Sequence, residues 1–273
     1  GYRNAKFGRI ECHESIHAIA REILLDAKET LEAGGWRVVH GIVDSLWVQP
    51  IEGAEQTPIR ECCAQISEAA SIPLEFEDRF EWVCFVPRRD GDAGALTKYF
   101  GKVAGRDEYV TKGIEAVQRQ TPSFVERLQR SLIRTLDRTR EPAPVCDRLQ
   151  RGVSCLRRGA VDASALVVRR RVSKHVDEYD HRTQTVAALE RARAQGLSRR
   201  PGQDVAYVVV DDDRRGAARV RLAHEDGDEY DEEFYATLAM RAGETVLSPL
   251  GWDRTRIRRH LRETTAQTLE SYQ

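Results

Sequence analysis

The sequence lacks the patterns that mark several large classes of protein. Its six cysteines include no CxxC pair, and their spacing matches no zinc site. No signal peptide opens the chain, and no apolar run is long enough to cross a bilayer. We therefore expect a cytoplasmic protein with reduced cysteines. The chain starts at Gly1 rather than at a methionine, and we expect it to be a fragment of a longer protein.

The sequence is rich in charge but has almost no net charge. It has 43 Lys and Arg residues against 44 Asp and Glu residues, which gives a net charge of −1. The overall charge therefore indicates neither a nucleic-acid partner nor an acidic tail. Arginines do cluster, and each cluster is either a phosphate-binding surface or a solvated helix face paired with acids. The clusters are Arg157-Arg158, Arg169-Arg170-Arg171, Arg199-Arg200, and the set Arg254, Arg256, Arg258, Arg259 and Arg262.

The first 70 residues predict a helix, a hairpin and a second helix. Apolar residues recur every three or four positions between residues 9 and 33, which is typical of one buried helix face. Gly34-Gly35 ends that helix. The β-branched segments 36–40 and 45–48 predict two paired strands, and residues 58–70 predict the second helix.

Further strands are predicted after this helix. Segments 74–77 and 80–86 have strand-like composition, residues 88–94 form a turn-rich link, and residues 96–103 predict another strand. Helices and strands in this order indicate an α+β fold with helices layered over a sheet.

The character of the sequence changes near Gly113. Residues 121–140 predict a long amphipathic helix, which prolines end. A small hairpin is predicted from segments 205–210 and 217–223, and the last segment is helical again. A chain of 273 residues can form two modest domains, and we place their boundary near residue 113.

The segment VVHGIVDSLWV, residues 38–48, contains one carboxylate, Asp44, in an apolar run. Buried strands rarely carry a charge that is not used. Asp44 is either a metal ligand presented on a β-turn or a turn-forming residue that bonds nearby backbone amides. Composition alone favours the turn, because metal catalysis usually needs at least two carboxylates.

Two other patterns contain candidate metal ligands. The string HESIH, from His13 to His17, fits H-E-x-x-H, but a zinc protease also needs a third ligand and an open cleft. The acidic runs 211–213 and 225–233 lack the glycine and glutamate offsets of an EF-hand loop. We expect these acids to lie in solvated loops and at a helix N-terminus.

The order of several short strings resembles the palm of family B DNA polymerases of the archaeal type. His40–Ser45 reads HGIVDS and is similar to the family's motif C, Y-G-D-T-D-S, with Asp44 on its second aspartate. Earlier matches in the same order lead into the palm helix, which accounts for HESIH without zinc. These are Gly1-Tyr2 with the end of motif B, the basic-aromatic pair Lys6-Phe7, Glu14-Ser15 and Arg21-Glu22.

The resemblance continues beyond motif C. Residues 97–101, TKYFG, resemble the KKxYxG element that touches the primer-template, and residues 112–119, KGIEAVQR, resemble the KGxExVRRD segment that opens the thumb. The resemblance therefore implies one catalytic and metal-binding residue and a set of DNA-binding residues. The first is Asp44, and the second set is Lys98, Tyr99, Gly101, Lys112 and Arg119.

By this resemblance, residues 1–113 are the C-terminal part of a polymerase palm, and residues 114–273 are a mostly helical thumb with a small β hairpin. The implied reaction is template-directed nucleotidyl transfer to a primer 3′-OH by two Mg²⁺ ions. The implied partners are primer-template DNA, a dNTP and the upstream part of the polymerase. We expect the isolated chain to be inactive, because that upstream part carries motif A and most of motif B.

The sequence also departs from the family pattern. Ile42 replaces the first aspartate of motif C, Leu96-Thr97 replace the paired lysines, and Gln120 replaces the last aspartate of the thumb segment. These departures resemble archaeal members with a degraded motif C. They leave a second hypothesis open, in which the chain is a non-catalytic DNA-binding remnant of an inactivated polymerase.

Overall fold

The computed structural model describes residues 8–88 and 94–270, with side chains up to residue 262. The chain divides into two compact units, Gly1–Phe80 and Glu81–Gln273. Within the described residues, no helix combines the length and apolar character that a bilayer crossing requires.

The first unit is a hairpin packed on two helices. Its elements are α1 (Ile10–Ala33), β1 (Trp36–Ile42), β2 (Ser45–Pro50) and α2 (Ile59–Ala70), and β1 pairs antiparallel with β2. Its small core consists of Ala27, Leu31, Cys62 and Ile66, covered by partly buried residues that include Trp36, Val38, Leu46 and Val48. The helices thus cover one side of the hairpin.

The turn from α1 into β1 depends on Gly35. Its φ of +81° is one that residues with a Cβ rarely adopt, and a Cβ there would lie 2.5 Å from the carbonyl oxygen of Glu55. The neighbouring backbone is satisfied, since Gly35 accepts a hydrogen bond from the amide of Ile51 at 2.9 Å. The structure confirms the predicted end of the helix at the glycine pair.

The second unit combines two three-stranded sheets with a helical bundle. The first sheet has the order β3-β4-β5, and the second has the order β6-β7-β8. The strands are β3 (Phe80–Pro87), β4 (Gly94–Val103), β5 (Tyr109–Lys112), β6 (Val168–Arg171), β7 (Asp204–Val209) and β8 (Val220–Leu222). The helices are α3 (Ser123–Thr139), α4 (Pro142–Arg157), α5 (Gln184–Ala194), α6 (Glu232–Leu247) and α7 (Arg254–Glu270).

Helices α3, α4 and α6 approach one another closely around one large core. Leu132, Leu149 and Leu247 are each completely buried in it. Small residues permit the contact: a Cβ added to Gly243 would lie 2.3 Å from Leu149 Cδ2, and one added to Gly152 would lie 2.7 Å from Leu128 Cδ2. Close packing of this kind gives the bundle one fixed arrangement.

The structure confirms the α+β class, with mixed helices and small antiparallel sheets. It also confirms the two N-terminal helices, the first hairpin and the strands at 80–86 and 96–103. The hairpin predicted at 205–210 and 217–223 is present as β7 and β8, and β6 adds a third strand to it. The strand β5 had no counterpart in the sequence predictions. Most of the predicted link at 88–94 lies outside the described residues.

The strand predicted at 74–77 is wrong, because residues 72–79 have no regular structure. The backbone amide of Leu74 donates instead to Ser67 Oγ of α2 at 2.8 Å, so this segment is tied to the helix rather than to a sheet. The apolar face of α1 is also only partly buried. The core reaches Ala27 and Leu31, whereas Ile16 and Ile19 are 53% and 58% exposed.

Candidate functional site

Asp44 lies at the tip of the first hairpin. Ile42 pairs with Ser45, so Val43 and Asp44 form a two-residue turn. The carboxylate is exposed and accepts a hydrogen bond from Ser45 Oγ at 3.3 Å. Val43 has a φ of +53°, which is rare for a β-branched residue and is the kind of backbone strain that concentrates at functional sites.

A β-bulge fixes which side chains share the open face of the hairpin. The pairing register shifts between Val38 and His40, so Val39 is the extra residue. Leu46 packs on the small core, and its chain neighbours therefore point to the opposite face. The cross-strand pairs on that open face are His40–Trp47 and Ile42–Ser45. Ile42 thus presents an apolar group on the face away from the helices.

The described residues supply one carboxylate at the hairpin tip and no complete metal site. No group of three or more His, Cys, Asp or Glu residues with suitable geometry occurs in residues 8–88 and 94–262. A two-ion site needs further carboxylates, so Asp44 cannot form one by itself. The same result leaves HESIH without a third zinc ligand there, although the rings of His13 and His17 are 4.4 Å apart.

The pairing of β4 with β5 brings the other two motifs together. Tyr99 pairs with Lys112, which places the start of segment 112–119 beside segment 97–101. Gly113 makes the approach possible: its φ is +65°, and a Cβ there would lie 2.1 Å from the carbonyl oxygen of Thr97. Lys98 lies beside the same glycine, with its Cγ 3.2 Å from that Cβ position. Only glycine therefore fits after Lys112.

The five predicted DNA-binding residues differ in exposure. Lys98, Lys112 and Arg119 are exposed, whereas Tyr99 and Gly101 are buried. The Tyr99 ring packs against Phe85, with centroids 5.6 Å apart. The three cations are thus available to a ligand, while the backbone and ring beneath them shape the sheet.

A buried glutamine, Gln129, anchors the second motif to the bundle, although it was not among the predicted site residues. Its Nε2 donates to Glu115 Oε2 at 2.7 Å and to the carbonyl of Ala242 at 3.0 Å. Its Oε1 accepts from the amide of Ala116 at 2.6 Å. Thr245 Oγ1 also donates to Glu115, at 3.1 Å. The glutamate of KGIEAVQR is therefore a structural residue that joins the motif to α3 and α6.

Arg119 lies next to the arginines of β6. It forms an ion pair with Asp204, and Asp204 is the cross-strand partner of Arg171. Arg169, Arg170 and Arg171 are all exposed on this edge strand. We call Arg119 with these three residues the β6 basic surface. It joins a motif residue to one of the arginine clusters found in the sequence.

The carboxylate of Asp137, whose side chain is 7% exposed, ties the first sheet of this unit to α3. Asp137 accepts hydrogen bonds from Trp82 Nε1 at 2.8 Å, Lys102 Nζ at 2.9 Å, Tyr109 OH at 2.8 Å and Arg140 Nη2 at 3.0 Å. Burial alone would raise the pKa of Asp137, but the hydrogen bonds from Lys102, Trp82 and Tyr109 outweigh it and lower the pKa. One ionised side chain thus connects strands β3, β4 and β5 to the helix.

The acidic runs have structural roles. Asp231 caps α6 by accepting from the amide of Phe234 at 2.9 Å. Glu225 accepts a bidentate pair from Arg191, with Nε and Nη2 at 2.7 and 2.8 Å. The hydrogen bonds from Arg191 are the main cause that lowers the pKa of Glu225 to about 2. These acids hold loops in place, in agreement with the expectation of loop and helix N-terminal positions.

Comparison with known proteins gives a consistent result. A DNA polymerase from Thermococcus kodakarensis is 22% identical over 273 residues, covering 94% of this chain and 16% of that protein. DNA polymerase 2 of Saccharolobus solfataricus is 28% identical over 134 residues, covering 49% of this chain and 20% of that protein. Among solved structures, the family B DNA polymerase of the hyperthermophilic archaeon Pyrobaculum calidifontis matches with a TM-score of 0.59 and 20% identity.

The structural match covers 90% of this chain and 31% of that polymerase, and at this identity it supports the fold alone. The chain spans less than a third of the length of each of these three relatives. The sequence model described as DNA polymerase family B matches residues 1–242, which is most of the chain. The chain therefore belongs to DNA polymerase family B.

Proposed function

We propose that this chain is the C-terminal palm and thumb part of a DNA-directed DNA polymerase, with the palm ending near residue 113 and the thumb following it. The observation that carries the proposal is the exposed Asp44 carboxylate on a strained two-residue turn within a chain of this family. An exposed acid on a rigid hairpin is well placed to take part in a metal site that other segments complete.

The proposed reaction is attack of a primer 3′-OH on the α-phosphate of a dNTP. Bound Mg²⁺ ions would activate that hydroxyl and stabilise the departing pyrophosphate. Asp44 would supply one ligand, and an aspartate from a motif A segment upstream of residue 1 would supply another. The chain alone offers a single carboxylate at the hairpin tip, so we expect it to be inactive without that segment.

Ile42 leaves the proposed active site without one of the two motif C carboxylates. It stands where family members carry the first motif C aspartate, on the same open face as His40 and Trp47. An isoleucine there can neither bind a cation nor accept a hydrogen bond. We therefore propose a polymerase that works with one motif C carboxylate and extends primers slowly.

The proposed grip on DNA comes from exposed cations in the second unit. Lys98 and Lys112 are exposed on the neighbouring strands β4 and β5, and the β6 basic surface begins at Arg119. Long flexible cations bind phosphates without reading bases, so the affinity should be independent of sequence and should fall steeply with salt. The Arg119–Asp204 pair is exposed and would cost little to exchange for a phosphate.

The upstream part of the polymerase is proposed as the partner of α1. Ile16 and Ile19 are more than half exposed on this helix although they continue its apolar stripe. Exposed large apolar residues in a row mark a surface that another segment covers. A palm segment carrying motif A would bury both side chains and bring its aspartate to the same unit.

A second candidate function is a non-catalytic DNA-binding remnant. The presence of Ile42 favours it, because the loss of a carboxylate costs nothing in a protein that only holds DNA. The two candidates share the DNA-binding surface and differ in whether Asp44 has a role.

Primer extension separates the two candidates. The complete polymerase chain, including the segments upstream of residue 1, should extend a labelled primer with dNTPs and Mg²⁺, while residues 1–273 alone should bind the same duplex without extending it. Extension by residues 1–273 alone would overturn the proposed need for an upstream aspartate. Duplex binding without extension by the complete chain would replace the polymerase with the DNA-binding remnant.

A further inference from the structure

A cleft between helices α4, α6 and α7 has no part in the proposed polymerase function. Its volume is about 540 Å³. Its apolar lining residues are Val153, Ala236, Met240 and Leu261, and arginines make up half of its remaining lining. No aromatic side chain is among the residues of the described chain that line it. A groove between helices with an apolar floor is a common docking site for a further helix.

Charge on the cleft is strongly positive. Arg157 is neutralised by Glu233 through two hydrogen bonds, at 2.6 and 3.0 Å. Arg254, Arg258 and Arg262 also line the cleft, and within the described residues none of them has a carboxylate within 4.0 Å. We call these three the α7 arginine stripe. Three guanidinium groups that have no ion-pair partner among the described residues need an anionic ligand or solvent.

One donor of this stripe is already removed from water. Arg254 Nε is buried and has no hydrogen-bond partner among the described residues. Buried donors are normally satisfied, and Arg254 is a lining residue of this cleft, so a bound ligand that repositions this side chain would supply the missing acceptor. This observation is independent of the charge count.

The spacing of the arginines in the stripe indicates which kind of ligand would fit. Its members are four residues apart on one helix, so they lie about 6 Å apart along its axis. Carboxylates four residues apart on a second helix have the same repeat, and apolar residues beside them would enter the cleft floor. Single-stranded nucleic acid fits less well, because single strands are held largely by stacking on aromatic rings, which the described lining lacks.

We propose that this cleft and the α7 arginine stripe bind an acidic amphipathic helix of a partner protein. The carboxylates of that helix pair with Arg254, Arg258 and Arg262, and its apolar side chains pack on Met240 and Leu261. The site lies on α4, α6 and α7 and shares no residue with the hairpin tip or with the β6 basic surface, and it does not depend on nucleotidyl transfer.

The test uses a fluorescein-labelled peptide of about 18 residues, long enough to be helical, with glutamates at every fourth position and leucines on the adjacent stripe. Its anisotropy is measured against the full 273-residue chain. A peptide of the same composition with the order scrambled and a single-stranded oligonucleotide are the comparison probes. We expect the patterned peptide to bind at least about tenfold more tightly than the scrambled one. The scrambled peptide has no continuous apolar stripe and therefore loses the contacts with the cleft floor.

A triple variant locates the site. Replacing Arg254, Arg258 and Arg262 with Gln should weaken peptide binding about 10- to 100-fold, from three exposed ion pairs. The matched control replaces Arg169, Arg170 and Arg171 with Gln, which removes the same charge from β6 and should leave peptide binding unchanged. If the triple variant melts below the parent, the single variant Arg258→Gln, on an exposed residue, should still weaken binding about threefold.

Three results would overturn the proposal. The first is equal binding of the patterned and scrambled peptides, and the second is an equal loss from the α7 and β6 triple variants. The third is a combined result: the oligonucleotide binds more tightly than the patterned peptide, and the α7 triple variant weakens the binding of the oligonucleotide but not that of the peptide. The last result would assign the cleft to nucleic acid.

Discussion

Replacing Asp137 with Asn should destabilise the second unit more than any other single loss of charge in its described part. The side chain is 7% exposed and accepts four hydrogen bonds, from Trp82, Lys102, Tyr109 and Arg140. An asparagine of the same size keeps one acceptor oxygen but loses the charge, and its amide meets donors instead of acceptors. Breaking a buried ion pair on one side costs about 3–5 kcal/mol.

For a unit of this size, that loss corresponds to a fall in Tm of roughly 6–20 °C, at about 2–4 °C per kcal/mol. Thermal unfolding of the chain followed by circular dichroism at pH 7 measures it. Asp226→Asn is the matched control, because Asp226 is exposed in a loop, and its Tm should change by less than about 2 °C. A Tm for Asp137→Asn within the range of the control would refute the role assigned to this residue.

The pH dependence gives an independent check on Asp137. Its pKa is lowered in the folded state, below the ordinary value of 3.8, because the hydrogen bonds outweigh burial. A lowered pKa means that the stabilisation is fully present above about pH 4 and is lost as the pH falls through the folded-state value. The parent and Asp137→Asn should therefore converge in stability at strongly acidic pH, and a constant gap between them would contradict this assignment.

Three further predictions test the local structure of the motifs. Gly113→Ala should lower the free energy of unfolding by about 2–4 kcal/mol in a denaturant titration, because a Cβ would meet the carbonyl of Thr97. The control Gly105→Ala, at a φ of +74° with no atom near the added Cβ, should lower it by about 1 kcal/mol. Gln129→Leu should cost about 3–5 kcal/mol by leaving buried backbone groups unpaired, and a loss below about 1 kcal/mol would show that water replaces it. Replacing Lys98 and Lys112 with Gln should reduce the slope of log affinity against log salt for duplex DNA by about 1.8; an unchanged slope would remove both lysines from the DNA contact.

The sequence predicted the elements whose side chains repeat with a clear period. Helix α1 and the β1–β2 hairpin follow from apolar residues at helical spacing, a glycine pair and a two-residue turn. Strand β6 was missed because its residues, Val168 to Arg171, consist of one valine and three arginines and show no apolar alternation. The strand expected at 74–77 failed because Ser67 captures the Leu74 amide, which no local pattern reveals.

Local sequence patterns also predicted only part of the candidate site. Asp44 is a single residue in a local motif, and its position on a hairpin turn could be predicted from the sequence. Asp137 could not, because its partners Trp82 and Tyr109 lie 55 and 28 residues away in sequence. Gln129 carried one weak signal, a polar residue at a buried position of the α3 stripe. Contacts between distant segments decide these roles, and they exist only in the folded chain.

One measurement tests the roles of both Asp44 and Ile42. It is the single-turnover rate of primer extension by the complete polymerase chain at saturating DNA and dNTP. Asp44→Asn should lower this rate at least about 100-fold, the order expected when a group that stabilises transition-state charge is removed, while duplex affinity stays unchanged. Ile42→Asp, which restores a second motif C carboxylate, should raise the rate. Equal rates for the parent and Asp44→Asn would contradict the account, because the exposed hairpin acid would then have no part in catalysis.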